Sequence, residues 1–154
     1  MLLAATANAE ELLSHVLFGV GSGGEAGDAS GALAWRRART RFVSGLDLRW
    51  DEGRAQGFSF RGFVEVEQRA SLGGDVRYTA WATRGVGLFG GVTAIIAPET
   101  LWGGVAGAEF VIPLGNNPGI FIEPSVSAFP IGSDLPEGSV VVWASLALGV
   151  RVGI

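Results

Sequence analysis

Ser139-Val140-Val141-Val142-Trp143-Ala144-Ser145-Leu146-Ala147-Leu148-Gly149-Val150-Arg151-Val152-Gly153-Ile154 is the stretch whose reading decides the fold. Taken with a period of two, one face is Val140, Val142, Ala144, Leu146, Leu148, Val150, Val152 and Ile154. The other is Val141, Trp143, Ser145, Ala147, Gly149, Arg151 and Gly153. Alternation of this kind belongs to a β-strand whose two faces meet different surroundings. A soluble strand hides its apolar face and wets the other. A membrane barrel strand turns the apolar face to lipid and the polar face to a lumen.

Composition narrows the choice. The 154 residues suit one domain with a real core. The chain has 25 Gly, 48% hydrophobic residues and only 17% charged ones, where an ordinary soluble domain carries roughly 25% charge and about 7% Gly. No apolar run reaches the ~18 residues of a spanning helix, so a chain this apolar enters a membrane only as a closed barrel. Cysteine is absent, which removes disulfides, thiol chemistry and thiolate metal sites. A net charge of -4 with no basic stripe argues against nucleic acid. Lysine is absent too, so every basic side chain is Arg.

Working back from the last stretch, residues 1–9 read as a signal-peptide remnant, with Ala7-Asn8-Ala9 as the cleavage-type triplet. Residues 10–154 then form a single barrel domain. Leu12–Val20 reads as a first strand, although Ala9–Leu17 also carries a helical pattern. Gly21–Gly31 reads as a flexible loop. Strands are predicted at Thr40–Trp50, Phe58–Gln68, Asp75–Thr83, Val86–Ile96, Leu101–Ile112, Gly119–Phe129 and Ser139–Ile154. The separating turns are Asp51-Glu52-Gly53, Leu72-Gly73-Gly74-Asp75, Arg84-Gly85, Pro98-Glu99, Gly115-Asn116-Asn117-Pro118 and Ser133–Gly138. Short regular spacing without intervening helices predicts an all-β, eight-stranded antiparallel up-and-down transmembrane β-barrel.

Ten charges fall on the second faces of these strands: Arg41, Asp47, Arg49, Arg61, Glu65, Glu67, Arg77, Glu109, Glu123 and Arg151. Five Arg against five acids, among Gly, Ser, Ala and aromatic residues, is the pattern of a narrow lumen laced by Arg–carboxylate pairs. On the apolar faces Trp50, Phe58, Phe60, Trp102 and Phe110 lie near strand ends, where interfacial aromatics sit.

Gly-rich alternating strands, a strand closing the chain and a signal remnant together resemble the small outer-membrane β-barrels of Gram-negative bacteria. The outer membrane protein A transmembrane-domain class is the nearest. The resemblance spans Leu12 to Ile154 and implies residence in a bacterial outer membrane. It also implies a lumen filled by side chains, a structural, anchoring or surface-interaction role, and outer-membrane lipid, lipopolysaccharide included, as partner. The class commonly ends in an aromatic residue where this sequence has Ile154, and Pro124 falls inside a strand, where a bulge or kink is expected.

Two other readings compete. One is a soluble lipocalin-like barrel holding an apolar ligand, which requires the apolar face inward. The other is a small lipid-modifying outer-membrane enzyme. Its only histidine, His15, follows Ser14, and neighbours in a strand point to opposite faces, so the two cannot act as base and nucleophile. No catalytic, cofactor or metal residue is assigned. Gly19–Gly24 has no following Lys or helix and is not a phosphate loop. Trp35-Arg36-Arg37-Ala38-Arg39, the most basic stretch, is a strand end with solvated Arg or a contact for anionic lipid.

Overall fold

A computed structural model describes residues 12–27, 35–37, 40–50, 55–66, 70–115, 117–133, 135 and 137–154. The signal-peptide expectation for residues 1–9 and the charge at Glu67 lie outside them. The strands are β1 (Leu13–Ala26), β2 (Trp35–Arg37), β3 (Thr40–Trp50), β4 (Gln56–Val66), β5 (Ser71–Thr83), β6 (Val86–Ala97), β7 (Leu101–Pro113), β8 (Pro118–Gly132) and β9 (Val141–Gly153).

Each strand pairs antiparallel with its neighbours, and β1 pairs with β9 to close the sheet. The short β2 and the longer β3 lie on the same edge of β1, with the register moving by one residue between them (Gly24↔Arg37, Gly21↔Arg41). They make one stave, and the barrel has eight. Following the rungs around the wall from Val16 through Leu46, Phe60, Val76, Val92, Gly104, Ala128 and Val142 returns to β1 at Ala26. That is ten residues above the start, 26 − 16. Strand number and stagger together fix the strand tilt and the width of the barrel.

The even number of staves sets Leu13 and Gly153 at one end, with the connections 51–55, 84–85 and 114–117. The connections 27–34, 67–70, 98–100 and 133–140 stand at the other, called here the loop end.

Two expected breaks are strand instead. Gly21 to Ala26 continue β1, and Leu72-Gly73-Gly74-Asp75 belong to β5. Loop-like composition here reflects close approach inside the wall. A Cβ at Gly23 would overlap the carbonyl oxygen of Ala144, and one at Gly73 would meet the Phe63 ring. The helical alternative for Ala9–Leu17 gives way to strand from Leu13 onward, because Val16, Phe18 and Val20 pair as rungs with Leu46, Ser44 and Phe42. Pro124 introduces no bulge. Gly107↔Ser125 and Phe110↔Ile122 keep one register, and the β7–β8 ladder only skips the rungs between them. The proline has no N–H to donate, while on the other side its rung to Leu146 holds.

The faces fall one way throughout. On β9, Leu146, Leu148, Val150 and Val152 are exposed, while Trp143 and Arg151 are buried. On β4, Phe58, Phe60, Val64 and Val66 are exposed and Ser59, Arg61, Phe63 and Glu65 are buried. The soluble alternative required the reverse. Soluble monomers rarely expose contiguous apolar patches beyond a few hundred Å², and here the apolar surface runs right round the wall.

Candidate functional site: the charged interior

Inward-facing positions stack in layers along the axis. Nearest the loop end, Phe63, Ile95, Leu101, Phe129 and Trp143 form an apolar cluster, with Val43, Leu135 and Val141 against it. The Phe129 and Trp143 rings meet edge to face at 4.9 Å. Arg41 lies against this cluster, its guanidinium 3.9 Å from the Phe63 ring centre and 5.0 Å from that of Trp143. It donates to Glu65 at 2.8 Å and 3.0 Å. Ser71 donates its hydroxyl to the same carboxylate at 2.6 Å.

Below this lies a continuous ionic network. Arg77 grips Asp75 through two nitrogens at 2.6 Å and 3.0 Å, and donates to Glu123 at 2.6 Å. Arg61 donates to the other oxygen of Glu123 and, at 3.0 Å, to Glu109. Arg151 completes Glu109 at 3.1 Å. The network joins β4, β5, β7, β8 and β9 across the interior: Glu109 and Glu123 each bind Arg side chains from strands that are not their neighbours, while Asp75 is held by Arg77 of its own strand. Burying ions costs several kcal/mol apiece unless they are paired and their remaining lone pairs are met. Alternating guanidinium and carboxylate groups meet that demand here. Aromatic faces assist: Arg77 stacks on Phe89 at 4.3 Å and Arg61 lies 5.9 Å from Phe121.

Toward the terminal end the pairing expected for every Arg changes character. Arg49 rests on the Trp81 ring at 4.5 Å and donates to the Arg84 carbonyl at 3.4 Å, with no carboxylate bonded to it among the described residues. Arg151 approaches the same ring at 5.5 Å. Asp47, buried, has neither oxygen hydrogen-bonded, and its nearest guanidinium nitrogen, on Arg61, is 3.8 Å away. Its rung partner His15 points inward as well, while the Ser14 carbonyl accepts from the Ile154 N–H at 3.0 Å. The carboxylate absent from the expected inner face is Asp75, which stood both as the last residue of the Leu72–Asp75 turn and as the first of the Asp75–Thr83 strand. Extending the β5 alternation backward from Val76 would have placed it beside Arg77 on the inner face.

Of the five aromatics expected at the interfaces, Phe58, Phe60, Trp102 and Phe110 are exposed on the outer wall and Trp50 is half-buried. Trp50, Phe58 and Tyr78 form a row at the terminal end, their centroids 5.6 Å apart pairwise along it. Phe110 also lies toward that end of β7, and Trp102 near its loop end. Phe60 stands two residues further into β4 than Phe58, nearer mid-wall.

An apolar belt outside and a charged, hydrogen-bonded interior define a membrane-spanning β-barrel, since lipid is the solvent such a belt requires. The fold is that of the small eight-stranded outer-membrane barrels of Gram-negative bacteria, a class that resides in the outer membrane. Among solved structures, the chain is similar to Ail, the attachment invasion locus protein of Yersinia pestis, determined in complex with the heparin analogue sucrose octasulfate. The identity is 17%, the match covers 94% of this chain and 99% of that one, and the TM-score is 0.50. Neisserial surface protein A matches over 90% of this chain and 96% of its own, at 10% identity and a TM-score of 0.47. No protein-family description matches the sequence. No curated protein matches it either.

Proposed function

We propose that the protein is an outer-membrane barrel whose lumen is closed by its own side chains, serving a structural, anchoring or surface-interaction role through its loop end. One observation carries this reading. The chain of contacts Asp75–Arg77–Glu123–Arg61–Glu109–Arg151 crosses the interior with every member at most 5% exposed. An ion entering the lumen would have to break charge-assisted pairs between buried groups. The apolar belt is the contact with membrane lipid. At the loop end, Arg36 and Arg37 of β2 pair in register with Glu25 and Gly24, which sets this basic stretch on the rim. The anionic phosphates of lipopolysaccharide are the partner we infer for it.

Planar-bilayer recording of the refolded full chain tests the closed lumen. Native protein inserts without steady channel steps, and Arg61→Ala produces them. Sustained conductance by the native barrel overturns the closed-lumen reading. Heat-modifiable migration on a gel and recovery with membranes support membrane residence, whereas a monomer that stays soluble without detergent contradicts it.

A further inference from the structure

Between the Arg41–Glu65 pair and the Arg77–Asp75–Glu123 cluster lies an internal cavity of about 30 Å³. Its wall includes Trp143, only 8% exposed, whose indole Nε1–H has no hydrogen-bond partner among the described residues. Ser125 and Ser145, bonded to each other at 2.9 Å, also line it. These are two separate observations: a space, and a buried residue of its wall whose indole donor has no partner among the described residues.

The wall's chemistry selects the occupant. It offers donors in the Trp143 indole and the guanidinium groups, acceptors in the carboxylates, and hydroxyls that serve as either. An anion would face Glu65, Asp75 and Glu123, and a bare cation would face Arg41 and Arg77. An apolar molecule would leave the indole N–H unpaired. About 10–15 Å³ of such volume holds one water, so there is room for roughly two.

We propose that one or two long-lived water molecules occupy this cavity, accepting from Trp143 Nε1 and donating to the carboxylates of the wall. They join the Arg41–Glu65 pair to the ionic network below it, making the interior charges from Glu65 to Arg151 one hydrogen-bonded system. The proposal does not depend on whether the barrel conducts.

The test is water-to-protein magnetisation transfer in the full-length, ¹⁵N-labelled chain folded in lipid nanodiscs. The five tryptophans give five indole signals, and Trp143→Phe identifies the one that belongs to Trp143. The expected result is transfer to that indole proton from water whose residence is long compared with bulk. Val43→Ile, which adds a methylene to the cavity wall, should at least halve the transfer. Absent transfer at the native indole overturns the proposal, as does transfer indistinguishable from bulk water. Transfer unchanged in a heat-modifiable, folded Val43→Ile variant also overturns it, because the water would then lie elsewhere. If that variant does not fold, the native measurement decides. Failure of the closed-lumen reading is seen separately, as conductance.

Discussion

Arg61 and Glu109, 48 positions apart in the chain, meet at 3.0 Å inside the barrel with their side chains 2% and 1% exposed. Arg61 also holds Glu123 and is the nearest guanidinium to Asp47, so three carboxylates depend on one side chain. Removing one member of a buried ionic set costs far more than the set contributes as a whole, because the partners are left charged and unpaired.

Arg61→Ala is therefore expected to destabilise the barrel by about 3–5 kcal/mol, measured as a shift of the urea midpoint for unfolding from lipid vesicles. Arg61→Lys should fall between Ala and the native protein, since a point charge cannot serve two carboxylates in a fixed fork. An Ala variant as stable as native would refute the central place given to Arg61.

Arg49→Ala makes the contrast. Its guanidinium engages the Trp81 face and a carbonyl, without a bonded carboxylate among the described residues, and such a contact is worth about 0.5–1 kcal/mol at exposed sites. The same unfolding assay should show a loss of that order. A loss equal to that of Arg61→Ala would mean that Arg49 belongs to the ionic network.

Glycines separate by face. At Gly149, facing inward, a Cβ would overlap the Phe18 carbonyl oxygen, whereas at Gly62, facing outward, it meets nothing within 4 Å. Gly149→Val should abolish the heat-modifiable folded band. Gly62→Ala should fold and gain roughly 0.5–1 kcal/mol from the lower entropy of its unfolded chain. Equal tolerance at both sites would contradict the packing described for β1 against β9.

On the outer wall, Leu148→Arg puts a charge in the apolar belt and should cost about 2–4 kcal/mol if it lies near the bilayer midplane, while Val152→Arg, close to the terminal rim, should cost about 0–1 kcal/mol. Folding yield and unfolding midpoint in lipid vesicles read both. Equal, negligible effects would argue that lipid does not cover β9.

At the loop end, replacing Arg36 and Arg37 with Glu should weaken co-migration with lipopolysaccharide severalfold at low salt and leave the barrel's stability within about 0.5 kcal/mol. Unaltered binding by the doubly substituted protein would remove this stretch from the contact.

The outer wall was legible because period two is intrinsic to a strand. Val140 to Ile154, or Phe58 to Val66, declare two faces whatever their partners are. Strand ends were less legible where glycine has two meanings. Gly21 to Gly24 and Gly73-Gly74 have loop composition, and only the opposing strand shows that a Cβ at Gly23 would overlap Ala144 and one at Gly73 would meet Phe63. Asp75 was lost to the interior for the same reason, standing next to a Gly pair. Pro124 looked disruptive because the sequence carries no sign of which neighbour's hydrogen bond it forfeits.

Taken alone, the sequence determined that this chain makes alternating strands, that each strand has a continuous apolar face, and that its charges collect on the other faces. Those properties follow from side-chain spacing and transfer free energy, which need no knowledge of distant residues. Only the tertiary structure decided that Arg61 meets Glu109 and Glu123, that Arg49 turns to Trp81, and that Trp143 borders a cavity. Barrel closure, through a stagger of ten residues between β1 and β9, chooses which inward side chains share a level. No local pattern records that choice.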